Sequence, residues 1–179
     1  MPEFRLPRMQ FGATTFEGTR SALLRCLSAL YRLRVTEVAG RATAEIAAAE
    51  LLQIRAKDCK TWWTLAVSDC LCAFGERFEN NPLLANASDA ERKEIARACD
   101  TTHVIDREQG TLIGHPNNYW IVVLRCERNR LALGLTDDRT VYDLALQGCR
   151  NALDTGGLYM DDNEEGRGRY DVYAGHAVA

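Results

Sequence analysis

Apolar residues recur at intervals of three and four along almost the whole chain, while the period-two alternation of a half-buried strand is nearly absent. A chain patterned this way covers its apolar stripes by packing helix against helix, so the expected fold class is all-α. The one strand-like run, Ile121-Val122-Val123-Leu124, lies inside a longer helical pattern.

Start and stop signals divide this pattern into six helices. The first is expected from Glu17 to Arg34, with Leu23, Leu24, Leu27, Leu30 and Tyr31 on one face. The second, rich in alanine, runs from Arg41 to Arg55 with Ile46, Ala49 and Leu52 spaced for burial. The third runs from Lys60 to Phe78 through Trp63, Val67, Cys70, Leu71 and Phe74, and stops at Asn80-Asn81-Pro82, because proline supplies no donor and disfavours helix in the residue before it. Ser88-Asp89-Ala90-Glu91 has the form of a capping box and opens the fourth helix, which reaches Cys99 or Thr102. The fifth, Asn118 to Leu133, closes on Gly134 as a left-handed terminator. The sixth, Asp138 to Leu153, carries Val141, Leu144, Ala145, Gly148, Cys149 and Ala152 along one stripe. Short connections in the second half imply antiparallel helical hairpins. A seventh helix is expected to begin at Arg169. Because it would end abruptly on His176-Ala177-Val178-Ala179, the single helical domain 1–179 is expected to be the N-terminal part of a larger assembly, whose open hairpin face would favour self-association.

Composition narrows the partners. With 46% hydrophobic residues and only four prolines, nothing points to disorder. A net charge of −3 with intermixed signs offers no basic face for phosphates, so nucleic acid is not an expected partner. The start Met1-Pro2-Glu3-Phe4-Arg5 lacks an export pattern, and no window approaches the roughly 20 apolar residues of a membrane span. A cytoplasmic protein without membrane partners is expected. Seven cysteines at scattered spacings read as buried thiols in a reducing compartment, since Cys70 and Cys72 on a helix would point about 200° apart and could not share a zinc. No metal and no cofactor is expected.

Two stretches carry the chemical interest. In Gly114-His115-Pro116-Asn117-Asn118-Tyr119-Trp120, either asparagine suits a helix N-cap. The same residues also suit substrate binding: the Asn117 and Asn118 amides for hydroxyls or a carboxylate, Tyr119 and Trp120 for a sugar face, and His115 as acid or base. The second stretch, Asp161 to His176, gathers five carboxylates, two arginines, two tyrosines and a histidine in sixteen residues. If helical, it sets Tyr170, Tyr173 and His176 near one face as candidate acid–base groups, with Asp161, Asp162 and Arg169 as substrate ligands.

Asn117-Asn118-Tyr119-Trp120, Gly156-Gly157-Leu158-Tyr159-Met160-Asp161-Asp162 and Gly168-Arg169-Tyr170-Asp171-Val172-Tyr173 together resemble the helical-hairpin elements of α/α-toroid proteins, in particular polysaccharide lyases of the heparinase and chondroitinase kind, over residues 60–179. The resemblance implies a partial (α/α) toroid and a carbohydrate-active protein, a lyase or glycosidase-like enzyme acting on uronate-containing or hydroxylated glycans. It gives Asn118 the role of neutralising the uronate and Tyr170 or Tyr173 the acid–base role, with His176 beside them. Two alternatives stand next to it. Asp161-Asp162-x-x-Glu165 has the spacing of a magnesium–diphosphate element of terpene synthases, though the flanking glycines oppose the helix it needs. The other is a non-enzymatic scaffold of stacked hairpins, for which no fixed repeat period appears.

Overall fold

Three helices form one parallel layer. The computed structural model describes residues 15–153, with side chains from 20 to 153, together with the backbone at 160–161 and 169–170. Helix α1 spans Thr15–Arg32, α2 Thr43–Leu51, α3 Thr61–Phe74, α4 Asp89–Ala98, α5 Tyr119–Leu133 and α6 Thr140–Asn151. Between α1 and α3, Ser28 meets Cys70 and the Tyr31 ring stacks on Phe74. Between α3 and α5, Trp62 meets Tyr119, Asp69 meets Arg125, and the Phe78 N–H donates to the Leu133 carbonyl. In both seams the residue numbers rise together, so α1, α3 and α5 run in the same direction. The neighbours of α1 and α5 in sequence run the other way. Arg20 at the start of α1 reaches Glu50 and Gln53 at the end of α2, and Trp120 at the start of α5 lies against Gly148 near the end of α6.

The all-α reading holds, and most boundaries fall within a few residues of those expected. The Ser88–Glu91 capping box is present in full, and Gly134 ends α5 at φ 70° with the Leu135 N–H bonded back to Arg130. Helix α3 stops at Phe74, four residues early, because the buried Asn81 amide donates to the Leu71 carbonyl and occupies the path a further turn would take. The face buried by α2 is also shifted. Thr43, Ala47 and Leu51 are buried while Ala49 is exposed, since a helix apolar on nearly every side carries little directional signal.

The described residues include three two-residue antiparallel ladders that the periodicity did not reveal: β1 Glu37–Val38 with β2 Arg41–Ala42, β3 Ile105–Asp106 with β4 Thr111–Leu112, and β5 Met160–Asp161 with β6 Arg169–Tyr170. The last corrects the expected seventh helix where it was to begin. Arg169 pairs with Asp161 and Tyr170 with Met160 in extended conformation, as Gly166 and Gly168 disfavour a helix there. The remainder of that segment lies outside the described residues.

One core cluster joins α1, α2, α3 and α4 around Leu24, Leu51, Leu71 and Ile95. Each such side chain contributes about 1.5–3 kcal/mol on burial. A second holds Val104 and Ile105 of the β3–β4 hairpin against Trp120, Val123, Val141 and Ala145. Among the described residues the cysteines form no disulfide, and burial pushes the thiols of Cys70, Cys72, Cys99, Cys126 and Cys149 up, Cys70 to about 12 and Cys72 and Cys149 to about 11. These thiols stay protonated and act as small apolar side chains.

Gly148 has a packing role. A Cβ there would overlap the Trp120 ring. Gly148→Ala is therefore expected to destabilise the fold by about 1–3 kcal/mol through overpacking, read by denaturant unfolding. Ser88→Ala, which removes the hydroxyl that accepts the Glu91 N–H and leaves the Ser88 N–H to the Glu91 carboxylate, is expected to cost about 1 kcal/mol in the same assay, without altering the near-ultraviolet signal of the tryptophans.

Candidate functional site

The parallel run of α3 and α5 brings the first turns of both helices to one end of the molecule. Neither has an acidic residue in its first turn, and neither start is capped by a side chain. At α5 the cap is made by backbone: Pro116 and Asn117 carbonyls accept the N–H groups of Tyr119 and Trp120 in a tight turn. Asn118 occupies the cap position with helical backbone, φ −60° and ψ −19°, so its side chain does not fold back as an N-cap. This corrects the N-cap reading of Asn118. Among the described residues, it leaves the Asn118 Oδ1 buried without a donor.

Around that turn an aromatic cluster forms. The His115 ring stacks on Tyr119 at 4.2 Å with 13° between planes, and Trp62 meets Tyr119 edge-on at 6.2 Å. Trp62 is the most exposed of these rings, and Ile113 is exposed nearby in sequence. Trp120 is placed differently from its expected partner role. It is 8% exposed and packs on Gly148, so it belongs to the core and cannot offer a ring face to a ligand. Neighbouring helical positions point about 100° apart, which turns Tyr119 outward and Trp120 inward.

The hairpin connecting α4 to α5 supplies the histidines. Val104 and Ile105 anchor it in the core, and buried Glu127 of α5 ties its root by accepting from the Thr101 hydroxyl and from Arg130 Nη1 at 2.7 Å. Asp100 is held below its ordinary carboxylate value: burial opposes ionisation, but the Thr102 N–H and hydroxyl, with Arg130, outweigh it. His103 and His115 are both held below 6.5. Burial is the larger cause for each, with the His103 charge adding for His115 and the Asp100 carboxylate partly offsetting for His103. At neutral pH both rings are neutral, so a ring nitrogen is free to accept a proton.

The chain matches no known protein family, no curated protein and no solved structure. The site therefore rests on its own geometry.

The structure brings together His115, Asn117, Asn118 and Tyr119 from the sequence reading and adds Trp62 and His103. The signal for Trp62 lay in the Trp62-Trp63 pair, where only one ring can face the core; His103 lay in a turn with no motif. For Asp161, Arg169 and Tyr170 only the paired backbone is described, and the extended chain at Asp161 lacks the helical i, i+1, i+4 geometry of a diphosphate element. Tyr170 in a strand also removes the helical face it was to share with Tyr173 and His176. Asp162, Tyr173 and His176 lie outside the described residues.

Because the imidazole values of the folded chain are lowered, the unfolded chain takes up protons first as pH falls through 6.5, and stability declines below that value. Asp100, Glu91, Glu94 and Asp138, all lowered, add their loss only as pH falls below the ordinary values of 3.8 and 4.5. Melting temperature is thus expected to fall from pH 7 to about pH 5, and the double variant His103→Gln, His115→Gln to flatten that slope while keeping the loss at lower pH.

Proposed function

We propose that this protein is carbohydrate-active, holding a glycan on the surface made by Trp62, Tyr119 and His115 and acting on it as a lyase or glycosidase-like enzyme. The observation that carries this reading is the stacked His115–Tyr119 pair with Trp62 at its edge. A sugar presents an apolar C–H face and a polar rim, and an exposed ring beside amides answers both. Trp62 supplies the accessible ring, and Asn117 and Asn118 the amides. His115, neutral at pH 7, has the protonation state of a base that removes a proton next to a uronate carboxyl.

The toroid architecture is part of the same proposal. It is supported by the parallel layer of α1, α3 and α5 with α2 and α6 antiparallel alongside, the arrangement produced by stacking helical hairpins side by side. Helix α6 ends near Trp120, so the chain that carries Asp161, Asp162, Arg169, Tyr170, Tyr173 and His176 departs from the end of the molecule where the aromatic surface lies. Those residues are the proposed further contributors to substrate binding and proton transfer.

Uronate-containing polysaccharides, assayed for the absorbance of a new unsaturated product and for binding by calorimetry, test the proposal. Trp62→Ala and Tyr119→Ala are each expected to weaken binding by about two- to ten-fold, the worth of one aromatic contact of about 0.5–1.5 kcal/mol. His115→Gln is expected to keep binding and lose turnover. Absence of binding to any such glycan would sink the reading. Binding without turnover in the unaltered protein would reduce it to a non-enzymatic scaffold.

A further inference from the structure

Consecutive residues of α3 face different surroundings. Trp62 turns toward Tyr119 of α5, whereas Trp63 turns toward the start of α1 and the chain that follows α2. There a cleft of about 190 Å³ opens, with Ile54, 4% exposed, and the Trp63 ring as apolar walls. Against a share of about 30 Å³ per water molecule, this holds a small organic molecule rather than a chain. Its polar groups come from Arg20, Gln53, Arg55 and Asp58.

The two guanidinium groups differ. Arg20 is engaged with the Gln53 amide oxygen and with Glu50, 3.5 Å away. Arg55 donates Nη1 to the carbonyl of its neighbour Ile54 at 2.9 Å, and among the described residues no carboxylate forms an ion pair with it. Acidic groups lie close enough to sense its charge. Glu91, lowered mainly by the Ser88 hydroxyl, and Glu94, lowered mainly by the Ala56 N–H, are lowered slightly further by Arg55. Both are committed elsewhere: Glu91 closes the capping box and Glu94 holds the Ala56 N–H and Arg97. Arg55 is thus a cation with fork geometry at the mouth of an apolar cleft, its donors to a carboxylate unused.

We propose that this cleft binds a small organic carboxylate with a flat apolar body, its carboxylate on Arg55 and its ring between Ile54 and Trp63. A guanidinium matches a carboxylate through two parallel N–H···O bonds, and an apolar wall takes the remainder of the molecule. Asp58 at the same mouth disfavours a second anionic group on the ligand and accepts from a hydroxyl if one is present. The site does not depend on the carbohydrate reading, because it shares no side chain with the Trp62–Tyr119–His115 surface.

Sodium benzoate is the probe, titrated into the full chain by calorimetry and followed by saturation-transfer NMR. The expected dissociation constant is about 1 mM or tighter, in keeping with a ligand of this size. Benzyl alcohol, which keeps the ring and lacks the carboxylate, is expected to bind at least about ten-fold more weakly. Arg55→Ala should weaken benzoate by about ten-fold and leave melting unchanged, because the side chain is exposed; Arg55→Lys should fall between, keeping the charge and losing the fork. Tyr119→Ala should leave benzoate affinity as it is. No binding at about 10 mM benzoate would overturn the proposal, that concentration being well above the range expected of so small a ligand. So would equal affinity for benzyl alcohol, unchanged affinity in both Arg55 variants, or loss of affinity in Tyr119→Ala, which would move the probe to the other surface.

Discussion

A polar lock in the seam between α3 and α5 sets the register on which the rest of the molecule depends. Asp69 accepts from Arg125 Nε at 3.0 Å and from the Asn129 amide at 2.8 Å, and the same amide reaches the Ser68 hydroxyl. Nearby the seam is apolar, with Leu65, Val122 and Cys126 in contact. Apolar ridges alone tolerate a slip along the axis, but a buried carboxylate that slipped would leave its donors and lose several kcal/mol. Trp62 lies two turns before Asp69, and Tyr119 lies nearly two turns before Arg125. The lock therefore decides that these two rings meet.

Parallel neighbours also dictate what joins them. A chain that leaves the end of α3 must travel the length of the bundle before α5 can start alongside, and α4 with the β3–β4 hairpin makes that journey. The hairpin is pinned at two points of different character: Val104 and Ile105 enter the core, and Thr101 donates to a glutamate only 1% exposed. Arg130 offsets the burial of that Glu127 charge, and without such a partner the cost would be prohibitive. In consequence the loop delivering His103 and His115 is fixed to the same helix that carries Tyr119. Residues 62, 103, 115 and 119 come from two helix starts and one crossover.

Much of the local structure was legible in the residue pattern. The capping box at Ser88, the glycine stop at Gly134 and the buried stripe of α6 each depend on a few neighbouring residues and a known backbone geometry. The reading failed where distant partners intervene. Asn81 shortens α3 by reaching its last turn, and no neighbour of Phe74 announces this. Trp120 and Tyr119 are equally suited to stack on a sugar, and only the approach of Gly148 on α6 assigns the first to the core. Asn118 fits an N-cap by type, but the Pro116 turn had already supplied the acceptors.

Sequence alone thus determined that the chain is helical, where most helices begin and end, and that His115, Asn117, Asn118 and Tyr119 stand at the start of one of them. These properties follow from interactions within a turn or two, which periodicity and capping chemistry encode directly. The tertiary structure decided that α1, α3 and α5 run parallel, that Trp62 and His103 join the site, and that Trp63 lines a separate cleft. Each of these depends on side chains far apart in the chain meeting across a seam. Their pairing is chosen by the burial of charge and volume in three dimensions, and one-dimensional spacing carries no record of it.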